Sequence, residues 1–173
     1  LDRVPPSEGG GCPFEPGREQ IDDERFLRRA MALAAEAAAG GDVPIGAVLV
    51  VGEHVIETQN EKERRPDPTA HAEMLALREA AQRLGSWRIG GTLYVTKEPC
   101  PMCAGALAAA RIERLVYGCA DPKGGAAGSV IDILGSAAVN HRVAVTAGVL
   151  EEETADQLRS YFRNKRVERW SSG

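Results

Sequence analysis

The sequence predicts an α/β protein of three layers, α/β/α, in which helices cover both faces of a mixed central sheet. Three observations carry this. Apolar residues recur at helical spacing in well-separated segments, short strand-like runs lie between them, and a strand–helix–strand succession mid-chain requires a parallel pair joined by a right-handed crossover.

Taken in order, residues 1–20 contain Pro5-Pro6, Gly9-Gly10-Gly11, Pro13 and Pro16 and no apolar period, so they are expected to form a disordered extension ahead of a single domain over 21–170. From Asp22 the residues Phe26, Leu27, Ala30, Ala34, Ala37 and Ala38 mark a first helix that Gly40-Gly41 stops. Ile45 to Val51 and Val55 to Thr58 read as an antiparallel hairpin turning at Gly52-Glu53. Asp67-Pro68-Thr69 offers a turn and a capping hydroxyl for a second helix, with Met74, Leu77, Ala81 and Leu84 as its buried stripe and Gly85 as its stop. Thr92 to Thr96 is a strand, Pro101 opens a third helix running to about Ala110, and Leu115 to Tyr117 is the returning strand. A last helix covers about Glu151 to Val167.

The chain has 173 residues, 43% of them hydrophobic, with 21 basic and 25 acidic residues for a formal net charge of -4. That length supports one hydrophobic core. The mixed charge makes any polyanionic partner dependent on a local basic patch. No run approaches the roughly 18 apolar residues of a membrane span, and the start lacks the apolar core of a signal peptide, so a soluble, cytoplasmic protein without membrane association is expected. The four cysteines, at 12, 100, 103 and 119, are too sparse for a disulfide scaffold. Cys12 in its Gly/Pro tract and Cys119 after an apolar run are assigned no chemistry.

His71-Ala72-Glu73 and Pro99-Cys100-Pro101-Met102-Cys103 carry the chemistry. One imidazole and two thiols with no evident fourth protein ligand describe a catalytic zinc site, whose open position holds water. With Pro101 at the first helical position, Cys100 caps the third helix and Cys103 lies in its first turn, where the helix dipole favours thiolates. Zinc lowers the pKa of a bound water to about 7. Glu73, two residues past the histidine, points away from His71 and is placed to move that water's proton without ligating the metal. A closed structural zinc site needs a fourth ligand, which neither His54 nor His141 supplies by its spacing, and a redox Cys-x-x-Cys leaves His71 and Glu73 unexplained.

The paired H-x-E and P-C-x-x-C motifs are the signature of zinc nucleobase deaminases. Asp42-Val43-Pro44-Ile45-Gly46-Ala47-Val48, Asp67 to Glu73, Thr92-Leu93-Tyr94-Val95-Thr96 and Glu98 to Ala106 together resemble the bacterial tRNA-specific adenosine deaminases from about residue 22 to 167. The resemblance implies a cytidine deaminase-like fold, one zinc ion per chain, a homodimer, and hydrolysis of the wobble adenosine of a tRNA anticodon stem-loop to inosine. It also implies that Asn60 contacts the target base, that Asp121, Lys123 and the segment Asn140-His141-Arg142 belong to substrate-facing loops, and that Phe162 helps receive the anticodon loop. Two departures stand out: the stretch leading to Asn60 is one residue short, and Lys97 occupies a position where leucine is usual.

From the residues alone, 158–170 carry five basic side chains and one acid, a local charge of +4 beside aromatics. This suits single-stranded RNA, but on the residues alone a solvated helix with Leu158 and Phe162 in the core is the favoured reading. Gly124, Gly125 and Gly128 suit either close approach to a ligand or a flexible loop. The zinc signature is shared by enzymes of free bases and nucleosides such as guanine and cytosine, which remain the alternative substrates. A noncatalytic RNA-binding subunit would have no use for Glu73.

Overall fold

In the computed structural model, which describes residues 16–171, nine elements follow one another. They are α1 (Pro16–Ala39), β1 (Gly46–Val51), β2 (His54–Gln59), α2 (Ala72–Leu84), β3 (Thr92–Lys97), α3 (Pro101–Ala109), β4 (Arg114–Cys119), β5 (Ala144–Thr146) and α4 (Glu151–Ser171). The sheet order is β2-β1-β3-β4-β5, with β1 antiparallel to both neighbours and β3, β4 and β5 parallel. This is the expected mixed sheet between helical layers.

Strand alternation sorts the core. Val48, Tyr94 and Val116 face α1, where they meet Phe26, Leu27 and Ala30. Ala47, Leu49, Leu93, Val95, Leu115 and Tyr117 face the other way, onto Ala72, Ala76 and Ala80 of α2 and Ala104 and Leu107 of α3. Arg114 at the start of β4 donates to both carboxylate oxygens of Asp23 at 2.9 and 2.7 Å and to Thr146 at 3.0 Å, fastening α1 to β4 and β5.

Several boundaries differ from expectation for identifiable reasons. α1 begins at Pro16 rather than near Asp22, since proline is accommodated in a first helical turn where no amide partner is needed; most of the expected extension, Cys12 included, lies outside the described residues. Thr69 does not cap α2: its amide and hydroxyl both bond Asp67 Oδ1, and His71 is the cap. The buried stripe of α2 runs through Ala72, Glu73, Ala76, Leu77 and Ala80 while Met74 is only half-buried, because small side chains let the helix sit close on the sheet. Gly85 ends the helix in the left-handed conformation, φ 60°. β5, three residues long and mostly exposed, has too little periodicity to be read from sequence. β1 and β2 stay in register from Val51↔His54 to Gly46↔Gln59 across the Gly52-Glu53 turn, so Asn60 follows the strand directly and the short connection leaves no bulge.

Gly46 is where α1 crosses β1 most closely, and a Cβ there would overlap the carbonyl oxygen of Ala30, whereas a Cβ at Gly105 in α3 meets nothing within 4 Å. Gly46→Ala is expected to destabilise by about 1–3 kcal/mol or prevent folding, and Gly105→Ala to stabilise by roughly 0.5–1 kcal/mol. Thermal denaturation of the two variants checks the contrast; equal melting temperatures would contradict the packing described.

Candidate active site

α2 and α3 lie on the same face of the sheet and both start at the end where β3 finishes. His71 caps α2 with extended backbone (φ -74°, ψ 149°) and Cys100 caps α3 likewise (φ -73°, ψ 171°). A cap side chain ordinarily bonds back to its own helix. Neither does so here; they turn toward each other instead.

His71 Nδ1 lies 3.7 Å from Cys100 Sγ and 3.6 Å from Cys103 Sγ, and all three ligand atoms fall within 4.8 Å of one another. Tetrahedral zinc, with bonds of about 2.0–2.1 Å to nitrogen and about 2.3 Å to sulfur, would hold such atoms roughly 3.5–3.8 Å apart. The triangle therefore fits a metal ion, and it is the one such group of His, Cys, Asp and Glu among the described residues.

The electrostatics of the triad favour a cation. A hydrogen bond from Cys103, aided by His71 and opposed by burial, holds the Cys100 thiol down at about 4. The same Cys103–Cys100 bond, then burial and the Glu73 carboxylate, push Cys103 up. His71 is raised by its hydrogen bond to Cys100 against burial. The protons shared in this cluster are those a dication displaces, with the dipole of α3 assisting the thiolates.

Glu73 is in the first turn of α2 and only 4% exposed, and burial pushes its carboxyl up. Its Oε2 is sealed from solvent without a hydrogen-bond partner. Leaving such an atom unsatisfied costs about 1–3 kcal/mol or more, so the site is built for a polar group that the protein does not supply. A metal-fitting triangle beside a buried acid with one oxygen left open can activate a water and move its proton.

The loops around this point are anchored by buried carboxylates. Asn60 is 4% exposed and donates from Nδ2 to Asp42 Oδ1 at 3.1 Å, and the amide of the next residue, Glu61, bonds the carbonyl of Ala70, beside His71. Asp121 lies just beyond β4, where its amide donates to Glu98 Oε2 at 2.9 Å and its carboxylate pairs with Lys97 at 2.6 Å; Lys123 follows, its amide on Asp121 Oδ1. The structure thus brings Asn60, Asp121 and Lys123 to the end of the sheet that carries the triad.

Phe162 stands apart from the triad on α4, 45% exposed and edge-on to Tyr161, so it is not the core residue the alternative required. Tyr161 donates to the carbonyl of Gly41 and so holds this part of α4 near the Asp42–Ile45 segment, at that same end of the sheet. The loop of Asn140, His141 and Arg142 is placed differently from expectation. His141 Nε2 bonds the carbonyl of Ile112 at 2.7 Å, at the entry to β4. That is a six-residue strand, about 20 Å, from Asp121 within this chain.

Glu98 escaped the sequence reading although it adjoins Pro99-Cys100. It is 3% exposed, receives the amides of Asp121, Ala127 and Ser129 at 2.9, 3.0 and 3.1 Å, and also accepts from the Ser129 hydroxyl. Gly125 is required because a Cβ would collide with this carboxylate; the close approach is to the protein itself and not to a ligand. A loop's backbone amides leave no mark in sequence, so only Gly125 hinted at the arrangement. A groove of about 720 Å³ between α1, β2 and α2 is lined by Leu33, Glu57, Arg78 and Glu79 among others and contains none of the triad. Its charges are of both signs, and it is not the reaction site.

A mixed sheet in an α/β/α sandwich, with imidazole and thiols at two helix starts and a buried acid beside them, defines a hydrolytic deaminase. The family model of the MafB19-like deaminases matches residues 21–164. The tRNA-specific adenosine deaminase of Bacillus subtilis (strain 168) is 47% identical over 83% of this chain and 91% of its own length. A structure from studies of A-to-I editing by tRNA:A34 deaminases at the wobble position superposes with a TM-score of 0.74 at 43% identity, covering 78% of this chain and 99% of that one. A guanine deaminase structure from Bacillus subtilis reaches 0.55 at 33% identity, over 82% and 93% of the two chains. The chain belongs to the tRNA-specific adenosine deaminase family.

Burial raises the Asp121 carboxyl, but the Lys97 ammonium and the amides of Lys123 and Gly124 outweigh it and hold the group below the usual carboxylate range. A depressed carboxylate stabilises the fold above its unfolded pKa of about 3.9, and that contribution is lost as pH falls through the folded value. Lys97→Met is expected to raise the Asp121 pKa and to flatten the loss of stability below about pH 4. Carboxyl NMR titration reads the shift directly, and an unmoved Asp121 would remove Lys97 as its cause.

Proposed function

We propose that this protein hydrolyses the wobble adenosine of a tRNA anticodon loop to inosine, with one zinc ion held by His71, Cys100 and Cys103 and with Glu73 as the proton carrier. The observation that carries the reading is the sealed, unpartnered Oε2 of Glu73 beside a triangle with zinc-like spacing. When bound, zinc supplies the Lewis acidity that brings a water's pKa near 7. Glu73 would accept a proton from the attacking water as its oxygen bonds carbon 6 of the base, and pass it to the adjacent ring nitrogen. Glu73 then takes the remaining proton from the hydroxyl on carbon 6 and delivers it to the exocyclic amine as the bond from carbon 6 to that amine breaks, and the products are inosine and ammonia. An acid raised by burial is suited to both halves of this transfer.

The substrate assignment is supported by the relatives' names and by a surface suited to single-stranded RNA. Phe162 is exposed beside the exposed cations Arg163, Lys165 and Arg166, and an unstacked loop nucleotide enters a small pocket more cheaply than one in a duplex. Asn60, Asp121 and Lys123 are the proposed base- and loop-contacting residues. No helix among the described residues is long and apolar enough to cross a membrane. A cytoplasmic homodimer is the proposed working form. The 33% identity to a guanine deaminase makes free guanine the second reading.

Glu73→Ala is expected to abolish turnover, by a factor of about 10² or more, while zinc content measured by atomic absorption stays at one per chain; an active Glu73→Ala enzyme would remove the residue from the mechanism. Cys103→Ala should lose the metal itself. Inosine formed only at the wobble position of an anticodon stem-loop, with no ammonia from guanine, cytosine or adenosine, is the outcome expected of the wild type. Ammonia from guanine with an untouched stem-loop would replace the substrate and keep the chemistry.

A further inference from the structure

Asp42 is 2% exposed, yet it lies well away from the triad in sequence and makes no ion pair among the described residues. Its carboxylate is filled by three N–H donors: the amide of Glu63 at 2.9 Å and Asn60 Nδ2 at 3.1 Å on Oδ1, and the amide of Arg64 at 3.1 Å on Oδ2. Two of the three belong to the turn that follows Asn60, and the third is Asn60 itself. A buried carboxylate satisfied in this way is a rigid acceptor.

The consequence falls on the Asn60 amide. In the opposite flip its carbonyl oxygen would face Asp42 Oδ1, two acceptors in contact with no proton between them. Asp42 therefore selects one of two amide orientations. It leaves one N–H and the carbonyl oxygen of this 4%-exposed side chain without a partner among the described residues. A base edge meets donor and acceptor in a single order rather than in an average of two.

We infer that Asp42 is a positioning residue that sets the donor–acceptor order Asn60 presents to the target base, and so contributes to base selection without touching the base. This rests on the proposed role of Asn60 as a base contact. Asp42→Asn weakens the discrimination, since its one carbonyl oxygen can serve either the Oδ1 donors Glu63 and Asn60 or the Arg64 amide, and in the second placement its –NH2 faces the other flip of Asn60.

The test is a double-mutant cycle on an anticodon stem-loop, using full-length wild type, Asp42→Asn, Asn60→Ala and the pair, with zinc content and melting temperature followed alongside. Asp42→Asn is expected to lower kcat/KM by about 10- to 100-fold in the wild-type background and to have no further effect in the Asn60→Ala background, with one zinc per chain throughout. Equal losses in both backgrounds would overturn the inference, because Asp42 would then act through the turn at 63–64 and not through Asn60. An Asn60→Ala enzyme as active as wild type would overturn the role of Asn60 and the inference with it. Asp42→Ser, which keeps an acceptor for the turn amides, completes the same cycle if Asp42→Asn melts below the assay temperature.

Discussion

The site depends on two helix starts converging at one point. His71 and Cys100 are each the residue at which extended chain becomes helix, and each withholds its side chain from the capping bond that its position invites. The side chain is thereby free to reach across, and the helix behind it contributes a positive end to the thiolates. That convergence in turn requires α2 and α3 to share one face of the sheet with their starts level. The alanines at 72, 76, 80 and 104 permit it, by letting both helices settle closely on Leu93, Val95 and Leu115. A bulkier stripe would lift one helix and pull the triangle apart before any ligand was changed.

Around this point the protein handles buried charge in a consistent way. Asp42 and Glu98 are sealed carboxylates, and each receives backbone amides of a loop beyond it together with one side-chain donor, Asn60 for Asp42 and Ser129 for Glu98. Charge-assisted bonds of this kind are stronger than neutral ones, and they offset a desolvation penalty that would otherwise exclude the groups from the interior. Long loops at the mouth of the site are thus held in one conformation without secondary structure of their own. Glu73 is the exception, a buried carboxylate with one oxygen left without a partner. The contrast separates the acids that anchor loops from the acid left open beside the triad.

The Lys97–Asp121 pair bears on the same loop from the opposite side of Glu98. Lysine stands where the family resemblance suggests leucine, and its ammonium reaches a carboxylate that also receives the Lys123 amide. The loop carrying Asp121 and Lys123 is therefore tied to the end of β3 by the Lys97 ion pair and to Glu98, the next residue, by the Asp121 amide.

Much of this was legible in the chain. Helical periodicity, the hairpin turn and the strand–helix–strand succession determined the mixed three-layer sheet, because burial of one face leaves a period that neighbours in sequence record. The His-x-Glu and Cys-x-x-Cys pairs determined the chemistry, since residue type and short spacing suffice to define a metal triad and a nearby acid. Tertiary structure alone decided which residue caps α2, that Phe162 lies outside the core, that His141 ties down the entry of β4, and that Asp42 and Glu98 anchor the loops. Those outcomes turn on bonds to backbone amides and carbonyls, which every residue carries alike, so sequence holds no trace of where they meet.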